Sequence, residues 1–165
     1  MKIHLFRHGI AIDRDDPACP TDVDRFLTPK GIAKTEAAAR GLHTLGIKPG
    51  LILTSPFLRA VQTAEIVCNA LGYPVKKLRQ TDTLKSDAKP ADLFEELAGI
   101  KCAEVICAGH APNLDLIIAY AIGSHSAVTS LKKAGFASLE VESFSPPCGS
   151  IVAIYTPKTL RLLAE

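Results

Sequence analysis

The sequence predicts a three-layer α/β sandwich with a mostly parallel central sheet. Short, nearly continuous apolar runs at Lys2–Phe6, Leu51–Leu53 and Glu104–Ala108 suit strands covered on both faces, and longer segments with helix signals separate them. The tail differs. Ala137, Leu139 and Val141 alternate with Ser138, Glu140 and Glu142, which is the period of a strand nearer a sheet edge.

In chain order, Lys2–Phe6 forms the first strand and stops at Arg7-His8-Gly9. An irregular segment rich in Asp and Pro follows. Thr28-Pro29 then supplies an N-cap and a first-turn proline, so a helix runs toward Leu45 with Gly46 as its stop. After the strand Leu51–Leu53, Ser55-Pro56 repeats the cap-and-proline signal, and a helix carries Phe57 to about Leu71 before Gly72 and Pro74 end it. Val75–Leu78 reads as a short strand, Ala91–Ala98 as a helix, and Glu104–Ala108 as a strand that breaks at Gly109-His110-Ala111-Pro112. Helix signals resume over Asn113–Ile122. The Pro-Pro-Cys-Gly turn at 146–149 leads into a last strand, Ile151–Tyr155. Right-handed crossovers join the parallel strands.

With 165 residues, 47% of them hydrophobic, the chain is long enough to bury one core without disulfide or metal support, and a single domain over residues 1–165 is expected. A net charge of +2 and the absence of like-charge runs exclude a nucleic-acid-binding surface, so any anion site is local. Cys19, Cys68, Cys102, Cys107 and Cys148 are scattered, with no C-x-x-C pair and no histidine at a ligand spacing; reduced thiols, no metal, no cofactor and a cytoplasmic location are expected. The run Ile3–Phe6 is too short for a secretory hydrophobic region, and nothing later resembles a membrane span.

The polar residues carry the functional signal. Arg7-His8, Arg59 and His110 all fall just beyond a strand's carboxyl end or in the first turn of the next helix, where open α/β sheets bind ligands. A cation such as Arg59 in a first turn opposes the helix macrodipole, a penalty that a bound anion reverses. Two guanidinium forks and an imidazole match the three equatorial oxygens of a phosphoryl group, while a second imidazole attacks phosphorus in line. Gly9 is expected to let the backbone turn so that Arg7 and His8 reach one anion.

Arg7-His8-Gly9, the segment Thr54-Ser55-Pro56-Phe57-Leu58-Arg59-Ala60-Val61-Gln62-Thr63-Ala64, and Gly109-His110 together resemble the histidine phosphatase superfamily, with its phosphoglycerate mutase-like fold. Leu27-Thr28-Pro29-Lys30-Gly31 resembles its compact SixA-type phosphohistidine phosphatases, so the likeness spans nearly the whole chain in the family's order. The resemblance implies that His8 is a nucleophile that becomes transiently phosphorylated. It also implies that Arg7, Arg59 and His110 hold the phosphoryl oxygens and stabilise the transition state, and that water then hydrolyses phospho-His8. His8 must be neutral to attack, and nearby guanidinium groups disfavour its charged form, which favours activity near neutral pH.

Thr81-Asp82-Thr83-Leu84-Lys85-Ser86-Asp87 departs from larger superfamily members in offering no glutamate as general acid, and none is assigned. A weak proton donor favours a substrate whose leaving group needs little help, such as the imidazole of phosphohistidine. About fifty residues separate Arg59 from His110, and predicted elements use most of them. Little remains for a lid, and an open site admits a protein side chain. The expected substrate is therefore a phosphohistidine-bearing protein, a phosphotransfer domain or a phosphocarrier. A broader phosphomonoesterase on small metabolites and a non-catalytic phosphate-recognition module are the alternatives; a mutase, which needs a more enclosed site, ranks below them.

The remaining motifs carry less. No Cys-x5-Arg loop follows Cys107, Asp13-Arg14-Asp15 reads as a solvated loop, and Gly41–Gly46 lacks the lysine of a phosphate-binding P-loop. His4, His43 and His125 have no companions and are given no function. Lys132 and Lys133 are read as solvated, with contact to an acidic partner as the alternative.

Overall fold

The computed structural model, which describes residues Met1–Glu165, builds one sheet from six strands: β1 (Lys2–Arg7), β2 (Leu51–Thr54), β3 (Arg79–Gln80), β4 (Glu104–Gly109), β5 (Phe136–Phe144) and β6 (Pro147–Tyr155). Their order is β3-β2-β4-β1-β5-β6. The pairs β3-β2, β2-β4 and β4-β1 are parallel, whereas β1-β5 and β5-β6 are antiparallel. The alternating tail thus forms a hairpin at one edge of a mostly parallel sheet, as its pattern predicts.

Helices α1 (Pro29–Thr44), α2 (Leu58–Leu71), α3 (Pro90–Ala98), α4 (Asn113–Ala121) and α5 (Pro157–Leu163) cover both faces. Successive side chains of β1 point to opposite sides, so Ile3 and Leu5 join one core with α3 and α4 while Phe6 joins the other with α1, α2 and α5. Alanines at 38 and 39 and Gly41 line the buried face of α1, which lets α5 approach closely: the backbone of Leu160 lies where a side chain at Gly41 would stand. Thr28 caps α1 by accepting a hydrogen bond from the Gly31 amide at 3.0 Å, and Gly46 beyond its end adopts a left-handed φ of 73°.

Four details differ from expectation. Val75–Lys77 is a 3-10 turn rather than a strand, because Pro74 fixes the turn's entry and its carbonyl accepts from the Lys77 amide at 2.8 Å; the strand is Arg79–Gln80. Ser55 does not cap α2. Its amide donates to the Ala108 carbonyl at 2.9 Å, so Ser55 continues the line of β2 and the helix begins only at Leu58. The hairpin turns at Ser145–Pro146, so Pro147 and Cys148 already belong to β6, where an edge strand tolerates proline. Helix α5 is unpredicted, although Thr156-Pro157 repeats the signal of Thr28-Pro29, and Thr156 accepts from the Thr159 amide at 3.1 Å.

No helix is long and apolar enough to cross a membrane. The five cysteines are free, Cys68 and Cys107 buried.

Candidate active site

Register places the candidate residues together. β1 and β4 are parallel with Arg7 opposite Gly109, and β2 pairs with β4 so that Thr54 lies opposite Ala108. One residue further along each strand stand His8, His110 and Ser55. The helix that follows β1 packs on one face of the sheet and the helix that follows β4 packs on the other. The backbone therefore parts between β1 and β4, which is the crevice where such sheets bind ligands.

All four predicted residues meet here. His8, Arg59 and His110 are buried at 8, 4 and 2% exposure, and Arg7 is half-buried. The His8 and His110 rings lie 5.0 Å apart between centroids. Phe57 packs against His110 at 5.2 Å, and the Arg59 guanidinium sits over the Phe57 ring at 5.1 Å. Arg7 donates to the Leu131 carbonyl at 2.5 Å. That carbonyl belongs to a segment that Asp115 fixes by accepting from the Leu131 amide at 2.9 Å and from the Thr129 hydroxyl at 2.7 Å.

Gly9 serves the site through space rather than through an unusual dihedral. Its φ lies outside the left-handed region, and a side chain there would collide with the Thr35 hydroxyl and press on Leu27 and the Gly31 carbonyl. The Gly9 amide donates to Thr63 Oγ1 at 3.1 Å, and the Thr63 hydroxyl donates to the Arg59 carbonyl at 2.7 Å. One threonine thus ties the turn after β1 to the first turn of α2.

His8 Nδ1 lies 2.7 Å from the Gly9 carbonyl oxygen. A carbonyl only accepts, so Nδ1 carries the proton and Nε2 keeps its lone pair. Burial, reinforced by His110, Arg59 and Arg7, pushes the His8 pKa down to about 3, while the bond to Gly9 opposes the shift. Burial and the two arginines likewise take His110 to about 4, with Asp22 opposing. Both rings are neutral at pH 7. Burial also lowers the two arginines, which remain charged.

Three residues to which the sequence reading gives no site role also join the site. His110 Nε2 is 2.8 Å from the Ser55 hydroxyl. Arg59 donates to the Asp22 carbonyl at 2.6 Å and reaches its carboxylate at 3.3 Å, and that carboxylate also meets Arg14 and Arg25 at 3.1 Å. Burial would raise the Asp22 carboxyl, but the arginines around it hold it below the usual carboxylate range. Thr63 is the third. Arg7 Nε, Arg59 Nε and His110 Nδ1 are buried with no hydrogen-bond partner in the chain, a costly arrangement unless a ligand completes it.

The other histidines stay apart. His43 and His125 are exposed; His4 is buried 3.1 Å from Glu104 and stacks on Phe136 at 5.2 Å, a packing role. Asp13, Arg14 and Asp15 are exposed, and Asp82 pairs with Lys85 at 2.8 Å. No group of His, Cys, Asp or Glu side chains is placed to hold a metal ion.

An uncharacterised protein of Picosynechococcus sp. is 39% identical over 141 residues, which cover 84% of each chain. The mitochondrial serine/threonine-protein phosphatase Pgam5 of Drosophila willistoni is 34% identical over 86 residues, 52% of this chain but only 28% of that protein. In fold, the chain superposes on the protein histidine phosphatase SixA complexed with tungstate with a TM-score of 0.85, at 24% identity over 97% of this chain and 99% of that one. The model of the histidine phosphatase superfamily, branch 1, matches residues 3–85, half of the sequence and the half that carries Arg7, His8 and Arg59, and the chain belongs to that family.

Proposed function

We infer that the protein is a phosphatase whose nucleophile is His8 and whose substrate is a phosphohistidine-bearing protein, residues 1–165 acting as one domain. The observation that carries the reading is the Nδ1–H bond of a neutral, buried His8 to the Gly9 carbonyl, because it leaves Nε2 free to attack.

In the proposed reaction the Nε2 lone pair attacks phosphorus, and Arg7, Arg59 and His110 take up the charge that develops on the equatorial oxygens. The bond from phosphorus to the substrate imidazole breaks, and its electron pair leaves with that imidazole, which takes a proton from solvent. Water then attacks phospho-His8, the P–Nε2 bond breaks, its pair returns to His8, and inorganic phosphate departs.

The same surroundings disfavour a general acid. Asp22, the carboxylate on Arg59, is held ionised and has no proton to give at neutral pH. A leaving imidazole tolerates that, whereas an alkoxide does not. A kinetic panel of a phosphohistidine peptide, sugar phosphates and an aryl phosphate tests the reading. A higher kcat/KM for phosphohistidine is expected. Preference for a sugar phosphate would overturn the substrate, and turnover of none would leave a phosphate-recognition module.

A further inference from the structure

A cavity of about 590 Å³ opens beside the candidate centre, lined by Arg7, Lys34, Lys132, Lys133, Lys158 and Arg161 with no aspartate or glutamate among its walls. None of these cations pairs with a carboxylate. The chain's ion pairs engage Arg14, Arg25, Arg59, Arg79 and Lys85 instead. The six come from 19 lysines and arginines, so the 13 elsewhere are outnumbered by 17 aspartates and glutamates. Positive charge is therefore concentrated here and not general to the surface. Uncompensated like charges around one concavity repel one another and focus a field that draws anions.

The groove is fixed to the catalytic strand. The Ala134 amide donates to the carbonyls of Arg7 at 3.0 Å and His8 at 3.2 Å, and the Arg7 amide donates to the Gly135 carbonyl at 3.0 Å. Ala134 takes a left-handed φ of 59° to do so, a conformation that costs a non-glycine residue energy. The chain that follows Lys132 and Lys133 is thereby tied to the backbone of Arg7 and His8, and Arg7 belongs to both the groove and the candidate centre. Across the cavity, Lys158 and Arg161 rise from α5, which the buried Leu160 fastens to α1.

We propose that this groove docks an acidic face of a protein substrate, receiving aspartate and glutamate side chains that flank the phosphorylated residue while the phosphoryl group reaches His8 past Arg7. The character of the cations selects a protein over a small polyanion. Lys132, Lys133 and Lys158 are exposed point charges on flexible stems. These suit a broad acidic surface, whereas a metabolite subsite uses rigid forks and convergent backbone amides. The proposal rests on reading the centre as a phosphatase.

Two peptides of equal length, each with one chemically phosphorylated histidine, test it: one flanked by Asp and Glu, the other by Ser and Gly. The acidic peptide is expected to show about tenfold higher kcat/KM at low ionic strength, an advantage lost near 1 M salt, where the Debye length is ~3 Å. The advantage also disappears in Lys132→Gln/Lys133→Gln/Lys158→Gln, while hydrolysis of p-nitrophenyl phosphate near 1 M salt, where the field is screened, is unchanged, which shows that the variant is folded. Equal kcat/KM for the two peptides, or a preference that survives in the variant, overturns the proposal. Fluorescence anisotropy of the unphosphorylated acidic peptide separates the two readings. If it binds the parent and not the variant while no phosphopeptide is hydrolysed, the groove stands and the phosphatase falls. If both peptides are hydrolysed equally and neither binds, the reverse holds. Inhibition by tripolyphosphate that the triple variant abolishes, without discrimination between the peptides, assigns the groove to a small polyanion and overturns a protein partner.

Discussion

His8 Nδ1 and the carbonyl oxygen of Gly9 stand 2.7 Å apart, so the residue that follows the nucleophile candidate dictates which of its nitrogens is free. Burial keeps that ring neutral, with a pKa near 3, and His110 near 4. Both are deprotonated well below neutrality. The kcat/KM profile, corrected for the substrate's own ionisation, is therefore expected to show no enzyme ionisation between about pH 5 and 8. An essential group titrating in the free enzyme within that range would contradict this.

The same shifts make folding sensitive to acid. Each histidine titrates near 6.5 when unfolded and near 3 or 4 when folded, so the unfolded chain binds more protons between those values. Stability is fully present above pH 6.5 and falls as the pH drops toward 4. Asp22, lowered when folded, adds a loss in the same direction below its ordinary value of 3.8. Thermal melts from pH 8 to 4 are expected to show a declining Tm, with a shallower decline in His8→Ala. An unchanged slope in that variant would contradict the assignment.

In the proposed site Asp22 competes with phosphate for Arg59. Its carboxylate lies 3.3 Å from the guanidinium and is 41% exposed, so the pair is worth at most about 1 kcal/mol. Asp22→Asn is expected to lower the inhibition constant of inorganic phosphate by up to about fivefold, measured at constant pH and salt. Weaker phosphate binding would mean that Asp22 orients Arg59 rather than screening it.

At Gly9 any added methyl meets the Thr35 hydroxyl in a packed setting. Gly9→Ala is expected to cost ~1–3 kcal/mol, read as a lower denaturant midpoint at unchanged m-value. A midpoint within error of the parent would show that the contact relaxes freely.

Much of this arrangement is legible in the sequence because it is local. Apolar runs and Thr-Pro caps locate the strands and α1, and placing Arg7, His8 and His110 at strand ends and Arg59 in the first turn of the helix after a strand requires only the rule for parallel sheets. Long-range pairing leaves no such trace. Asp22 meets Arg59 across 37 positions, and Ser55, whose neighbour Pro56 imitates a helix start, turns instead to His110 across 55. Gly9 reads as a turn residue, yet its need for space comes from Thr35 on another element. Val75–Leu78 has a strand's composition, but Pro74 converts it to a turn.

The most direct test of His8 as nucleophile is intact-mass measurement after rapid mixing with a phosphodonor. A transient, acid-labile phosphoryl adduct localised to His8 and absent from His8→Ala is the expected result. An adduct on any other residue, or turnover preserved in His8→Ala, would contradict it.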